Sequence, residues 1–304
     1  MRFISSMLNM PIRAFLIFTS VAVLAVSCAD PWRIQSPQSS NQFEATKAEN
    51  PVPRIPANPP PKIFGKSAIV IDAETGHVLY AKNADQRRPV ASTQKLITAL
   101  VSLDSGSLDD RITIQPVDTH CQQIKLGLRA NETYTRGELL KALIVKSGND
   151  VSRTLAREAA GSEEQFSAAM NRKARSLGMR HSNFVTSNGL PARGQYSTAR
   201  DIAIAARVAY QNPRIRAWAN TKKFTFRFSD GRTRTLENTN RVLGRVAYCN
   251  GLKTGTTNAA GRCLVSSGEY RGRETICVVL KSNSRHIWDD SENLLRWSLE
   301  SPLR

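Results

Sequence analysis

The chain is poor in several things, and each shortage excludes a class of protein. Aromatic residues are 7% of the 304 positions, cysteines number five, and 25 acidic residues face 43 Lys and Arg. So few rings among so many cations argue against the basic, aromatic-interleaved surface of a nucleic-acid binder. The four histidines, at 77, 120, 181 and 286, are scattered without ligand spacing, so no metal or cofactor is expected. Heptads, collagen-like triplets and internal repeats do not occur. The apolar run at residues 14–26 is thirteen residues long, too short to cross a bilayer core of ~30 Å as a helix. With 40% hydrophobic residues the chain is not wholly disordered, and its length is enough for one or two packed domains.

What is present begins with an N-terminal targeting pattern. Arg2 and Arg13 precede the apolar run, and Ser27, Cys28 and Ala29 follow it, so residues 1–28 are expected to be an export signal. Residues 24–28 (LAVSC) are similar to the bacterial lipobox, which implies cleavage before Cys28 and a lipid on its thiol; cleavage after Ala29 is the plain alternative. Either way the protein is expected in the periplasm or on the outer face of the cell membrane, touching that membrane only through the lipid. Residues 29–62 hold eight of the 14 prolines and none of the 17 glycines, the composition of an extended tether. Residues 63–304 are then expected to be one folded domain.

Within that domain the pattern runs from strand to helix and back. Residues 67–82 predict a hairpin turning at 72–76, and residues 92–103 recur apolar at helical spacing. Thr135 with Glu138, and Ser162 with Gln165, predict capping boxes for helices ending near Lys146 and Gly178. Thr198 and Asp201 open a helix that Pro213 should stop. Phe224, Phe226 and Phe228 alternate into the Asp230-Gly231 turn, the apolar stretches 263–267 and 275–281 flank another turn, and residues 288–300 read as a closing helix. Strands at both ends with helices between predict an α/β fold: an antiparallel sheet completed by both termini, packed on helices, with a mostly helical subdomain.

Three short segments carry candidate chemistry. In Ser92-Thr93-Gln94-Lys95 a hydroxyl and an amine three residues apart share one helix face, and a lysine kept neutral by burial or a second cation can take the serine proton. Ser147-Gly148-Asn149 lies between two predicted helices, where a loop can project a hydroxyl and an amide into a cleft. Lys253-Thr254-Gly255-Thr256 lies on a predicted strand; its glycine lets a ligand backbone lie close, its lysine attracts a carboxylate and its hydroxyls fix it. Taken singly, each is an ordinary helix cap, turn or strand end.

Together, with 55 residues from Ser92 to Ser147 and 106 from Ser147 to Lys253, they form the motif set of serine β-lactamases and penicillin-binding proteins. The chain resembles the D-alanyl-D-alanine carboxypeptidases of the low-molecular-mass penicillin-binding protein family. The blocks at 72–85, 88–96, 146–150, 187–201 and 251–261 all carry the likeness, which extends from residue 65 to the end. The resemblance implies a β-lactamase-like fold and a reaction on the D-Ala-D-Ala termini of peptidoglycan stem peptides, with β-lactam antibiotics as covalent inhibitors. It implies that Ser92 is the nucleophile, Lys95 its base and Ser147 the relay of a proton to the departing D-alanine. Asn149 would hold the acyl-side amide, Lys253, Thr254, Gly255 and Thr256 the terminal carboxylate, and the backbone N–H groups of Ser92 and Thr256 the oxyanion.

Two departures qualify the likeness. Thr256 stands where many relatives have His, and the sequence ends where the catalytic domain is expected to close, without the further C-terminal domain many carry. A D,D-endopeptidase cutting peptidoglycan cross-links is therefore the alternative. A class A-like β-lactamase needs an E-x-x-L-N segment that the sequence lacks, and a non-catalytic peptidoglycan-binding lipoprotein should have lost Ser92 or Lys95. Cys249, Cys263 and Cys277 fall around the candidate strand, where one disulfide and buried free thiols are both open; Cys121 stands apart. Most of the +18 charge lies in residues 63–304, and its expected partners are stem-peptide carboxylates and an anionic envelope.

Overall fold

The computed structural model describes residues 55–304. The export signal at 1–28, Cys28 and residues 29–54 of the proline-rich segment lie outside the described residues.

The expected hairpin forms from β1 (Ser67–Asp72) and β2 (Val78–Lys82). Asp72 Oδ1 accepts from both the backbone and the hydroxyl of Thr75, which closes the turn. The closing strands are β7 (Cys249–Thr257), β8 (Gly261–Tyr270) and β9 (Arg273–Ser282). They join the hairpin in one antiparallel sheet of order β2-β1-β9-β8-β7, so both ends of the domain complete it as expected. Its central strands are buried on both faces and read as unbroken apolar runs. Ile276, Val278 and Leu280 point to one core, Cys277 and Val279 to the other. The second core is closed by α9 (Ile287–Glu300) and the short α8 (Val242–Arg245).

The first core is the helical body. It contains α1 (Lys95–Asp104), α2 (Pro116–Thr119), α3 (Arg136–Lys146), α4 (Asn149–Ala160), α5 (Glu163–Ser176), α6 (Ala199–Gln211) and α7 (Pro213–Asn220). Two small sheets flank it, β3 (Arg111–Thr113) with β4 (Thr133–Thr135), and β5 (Lys223–Arg227) with β6 (Thr233–Glu237). Thr135 and Glu138 cap α3 reciprocally, as the sequence predicts. Ser162 caps α5 by accepting from the Gln165 backbone. Thr198 likewise caps α6 through Asp201 N, but the Asp201 carboxylate turns away to bond His181 N and Ser182 Oγ.

Three expectations change. Pro213 does not only stop a helix: it begins α7, because Asn212 accepts from Arg214 N and Ile215 N and proline has no amide hydrogen to waste at that position. Residues 92–103 do not form one helix, since Ala91–Gln94 is a single 3-10 turn that precedes α1. The folded body also starts earlier than residue 63. Ala57 N donates to Pro302 O, Arg304 N to Ile55 O, and Trp297 Nε1 to Asn58 O, so the end of the proline-rich segment is clasped to the C-terminus.

Candidate active site

Ser92 sits in the 3-10 turn at the entrance to α1, between the helical body and the edge strand β7. Ala91, with φ of 48°, aims the turn, and Gly189 packs against its carbonyl. One turn later, Lys95 is fully buried, and its Nζ lies 2.8 Å from Ser92 Oγ, 2.8 Å from Asn149 Oδ1 and 2.6 Å from Asn188 O. Burial first, and then the charge of Lys253, holds the Lys95 amine well below its usual value. Nζ donates to all three oxygens, and the Ser92 hydroxyl donates in turn to Asn188 O. Once the amine gives up one proton, its lone pair is 2.8 Å from Ser92 Oγ, within reach of the hydroxyl proton.

Ser147 is the left-handed residue that ends α3, with φ of 68°, and Asn149 is the first residue of α4. The Asp150 carboxylate accepts from the backbone N–H groups of Leu126, Gly127 and Leu128, which fixes the neighbouring loop. Lys253, reaching in from β7, places its Nζ 2.8 Å from Ser147 Oγ and 3.1 Å from Thr254 O. Burial pushes Lys253 down to about 7. The next inward position on the strand is Gly255, against the Ser92 turn, whereas Thr254 and Thr256 face the other way. Thr254 Oγ1 is 2.6 Å from Thr239 Oγ1, and exposed Thr256 accepts from Arg262 at 3.1 Å.

The structure thus brings all eight residues singled out in the sequence to one seam, with three differences from the arrangement the resemblance implied. Ser147 bonds Lys253 and, among the described residues, makes no hydrogen bond to Lys95. The Asn149 carboxamide is engaged on both sides, by Lys95 Nζ and by Gln122 O, rather than left open. Lys253 is buried and bound, so it does not present a free ammonium to solvent.

Sequence reasoning missed Asn188, whose carbonyl also accepts from Ser92 Oγ at 3.2 Å, and Glu163, whose carboxylate holds Ser187 N and Oγ. The block at 187–201 was the only signal for the first, and 68 residues separate Lys95 from Glu163 in sequence, so the second had none. Cys121, Cys249, Cys263 and Cys277 are free thiols, and the last three are buried. Two cavities of about 550 and 680 Å³ lie at the opposite end of the sheet, around Asn250 and Asp72, and none of the site residues lines them.

The model of the D-alanyl-D-alanine carboxypeptidases, peptidase family S11, matches residues 54–284. The chain belongs to this family of serine peptidases. It is 34% identical over 224 residues to the D-alanyl-D-alanine carboxypeptidase DacF of Bacillus subtilis, covering 72% of this chain and 58% of that protein. It is 33% identical over 256 residues to a D-alanyl-D-alanine endopeptidase of Pseudomonas aeruginosa, covering 80% of this chain and 82% of the other. Among solved structures, the D-alanyl-D-alanine carboxypeptidase of Mycobacterium tuberculosis superposes with a TM-score of 0.75 at 30% identity, over 80% of this chain and 94% of that one. The fold is that of the penicillin-binding peptidases.

Proposed function

We propose that this S11 peptidase removes the terminal D-alanine of peptidoglycan stem peptides through an acyl-enzyme on Ser92. The observation that carries the reading is the fully buried Lys95 amine, held well below its usual value by burial and by Lys253, with Nζ 2.8 Å from Ser92 Oγ. Ser92 Oγ attacks the carbonyl carbon between the two D-alanines, and its proton moves to Lys95 Nζ. The backbone N–H groups of Ser92 and Thr256 hold the oxyanion. The C–N bond breaks as Ser147 Oγ gives its proton to the leaving amine; Ser147 is resupplied by the Lys253 ammonium, 2.8 Å from its Oγ. Asn149 turns from Gln122 toward the acyl-side amide, and the β7 hydroxyls meet the carboxylate. Water then hydrolyses the ester, returning Ser92 to its hydroxyl form. β-Lactams acylate the same oxygen and stay bound.

The test is to incubate the protein with a pentapeptide monomer and with cross-linked dimers. Free D-alanine from the monomer is expected, together with loss of that activity and of fluorescent penicillin labelling in Ser92→Ala. Labelling that survives Ser92→Ala overturns the assignment. The relative named an endopeptidase matches more of its own length than DacF does, so cleavage of dimers alone moves the reading to a D,D-endopeptidase.

The same reading includes export by residues 1–28, a lipid on Cys28 and a proline-rich spacer beyond it, supported by the targeting pattern and composition. Mass spectrometry of the membrane-extracted protein checks it: a diacylglycerol adduct on an N-terminal Cys28 is expected, and a chain beginning at Asp30 overturns the lipid.

A further inference from the structure

On the reading just given, Ser92 and Lys95 must stay in a fixed relation, and one side of that pair is set by a segment remote in sequence. Asn188 O accepts from Lys95 Nζ at 2.6 Å and from Ser92 Oγ at 3.2 Å. Behind it, a Cβ on Gly189 would collide with the Ala91 carbonyl and stand 3.0 Å from Ser92 N, so the segment is packed hard on the nucleophile's turn. Where Asn188 O lies therefore depends on what holds the residues before it. Gln195 Oε1 fastens the backbone N–H groups of Val185 and Thr186. From α1, Gln94 Nε2 donates to Thr186 O, and Thr98 Oγ1 donates to Ser187 O at 2.6 Å. The other side of buried Ser187 belongs to Glu163, in the first turn of α5: Oε2 accepts from Ser187 N at 3.0 Å and Oε1 from Ser187 Oγ at 2.8 Å. Arg153 Nε lies 4.0 Å from the same carboxylate, and Arg153 Nη1 donates to His120 O in the loop that flanks Asn149.

We infer that Glu163 is a positioning residue of the reaction, its carboxylate holding the Ser187-Asn188 peptide against the Ser92 and Lys95 side chains. Two hydrogen bonds to a charged acceptor make a stiffer tie than a neutral group could. Among the described residues the carboxylate bonds Ser187 and Arg153 and neither reacting side chain, so it acts through Asn188 O. Its charge also bears on the base. The charged and titratable groups around Lys95 come from four directions: Lys253 on β7, Cys121 on the loop after α2, Asp150 on α4 and Glu163 on α5. Burial and then Lys253 lower the amine, whereas Cys121, Asp150 and Glu163 pull it back up. Removing the Glu163 charge should let Lys95 fall further.

The experiment follows acylation of the full chain by fluorescent penicillin across pH, with D-alanine release from pentapeptide and thermal melts alongside. Glu163→Ala should lower the plateau rate by about tenfold or more, since small displacements of a nucleophile and its base are costly. Glu163→Gln, which keeps one accepting oxygen, should recover part of that rate. In both variants the acid limb of the profile should move to lower pH, and for the pentapeptide kcat should fall with KM nearly unchanged. Glu164→Gln makes the same charge change one residue on, at an exposed side chain, and should alter neither rate nor limb. A wild-type rate in Glu163→Ala overturns the inference. So does a rate that falls only as far as the melts show lost fold, with the acid limb unmoved or displaced upward. A wild type that penicillin acylates but that releases no D-alanine leaves Glu163 in place and overturns only the peptidase reading.

Discussion

A Cβ on Gly255 would stand 2.8 Å from the backbone nitrogen of Ser92 and 2.9 Å from that of Thr93. The obstructing atoms are backbone at the mouth of a buried helix, so they cannot swing aside as a flexible side chain would. The glycine is needed here for the close approach of two chain segments rather than for a turn.

Gly255→Ala should therefore separate β7 from the Ser92 turn and slow penicillin acylation by more than about tenfold, since displacements below 1 Å already misplace a nucleophile. Gly244→Ala is the matched control. Nothing lies within 4 Å of a Cβ there and the position is helical, so stability should rise by about 0.5–1 kcal/mol with labelling intact. Equal labelling rates in the two variants would contradict the close-approach argument.

Lys253 gives stability a pH dependence of defined sign. Its folded value is about 7 against 10.5 unperturbed, so between those values the unfolded chain binds more protons and stability rises with pH. Lys253→Met removes that dependence. Thermal melts should show the variant gaining on the wild type as pH falls from about 10 to about 7. Catalysis should respond in its own way: without the neighbouring charge, the Lys95 pKa rises and the acid limb of the acylation profile moves to higher pH. A melting difference that is flat across this range argues against a neutral Lys253.

Asp150 is buried, and its carboxylate serves three consecutive backbone N–H groups of the 126–128 loop. Asp150→Ala leaves those donors without partners, at a cost of about 3 kcal/mol or more. Denaturant unfolding should report the loss, and limited proteolysis should cut first near residues 120–128. Cleavage elsewhere, with that loop still protected, speaks against the tie.

The thiols divide cleanly. Burial pushes Cys249 and Cys263 up to about 11 and Cys277 up to about 12; burial and the Asp150 charge raise Cys121 as well, but Cys121 is partly exposed and so within reach of a reagent. Peptide mapping after alkylation of the native protein should find Cys121 modified and the other three intact until denaturant is added. Native modification of Cys263 at a comparable rate would mean that β8 opens readily.

Much of this was legible in the residues because the signals were local. The Thr135 and Glu138 cap, the Asp72 to Gly76 turn and the alternating phenylalanines each act within a few positions, and all three appear where expected. What was hidden depended on distance. Asn188 reaches Lys95 across 93 residues, and Asp150 looks like an ordinary helix start until the loop it holds is folded beside it. Pro213 misled for a different reason: the same ring that ends one helix suits the first position of the next, and only the Asn212 cap decides between them. The spacing of three already pointed to Lys95 beside Ser92, as the structure has it, but nothing in the spacing shows that Lys253 bonds Ser147 while Lys95 does not.

The clasp between residues 55–58 and 301–304 brings the two ends of the folded body to one place. The polypeptide is in that sense already nearly a ring, open at a single seam. Joining Arg304 to Ile55 through a short Gly-Ser bridge and breaking the chain at the exposed Arg271-Gly272 turn should preserve the core while giving it new ends. Any fusion, at either existing end of this body, emerges from that same seam.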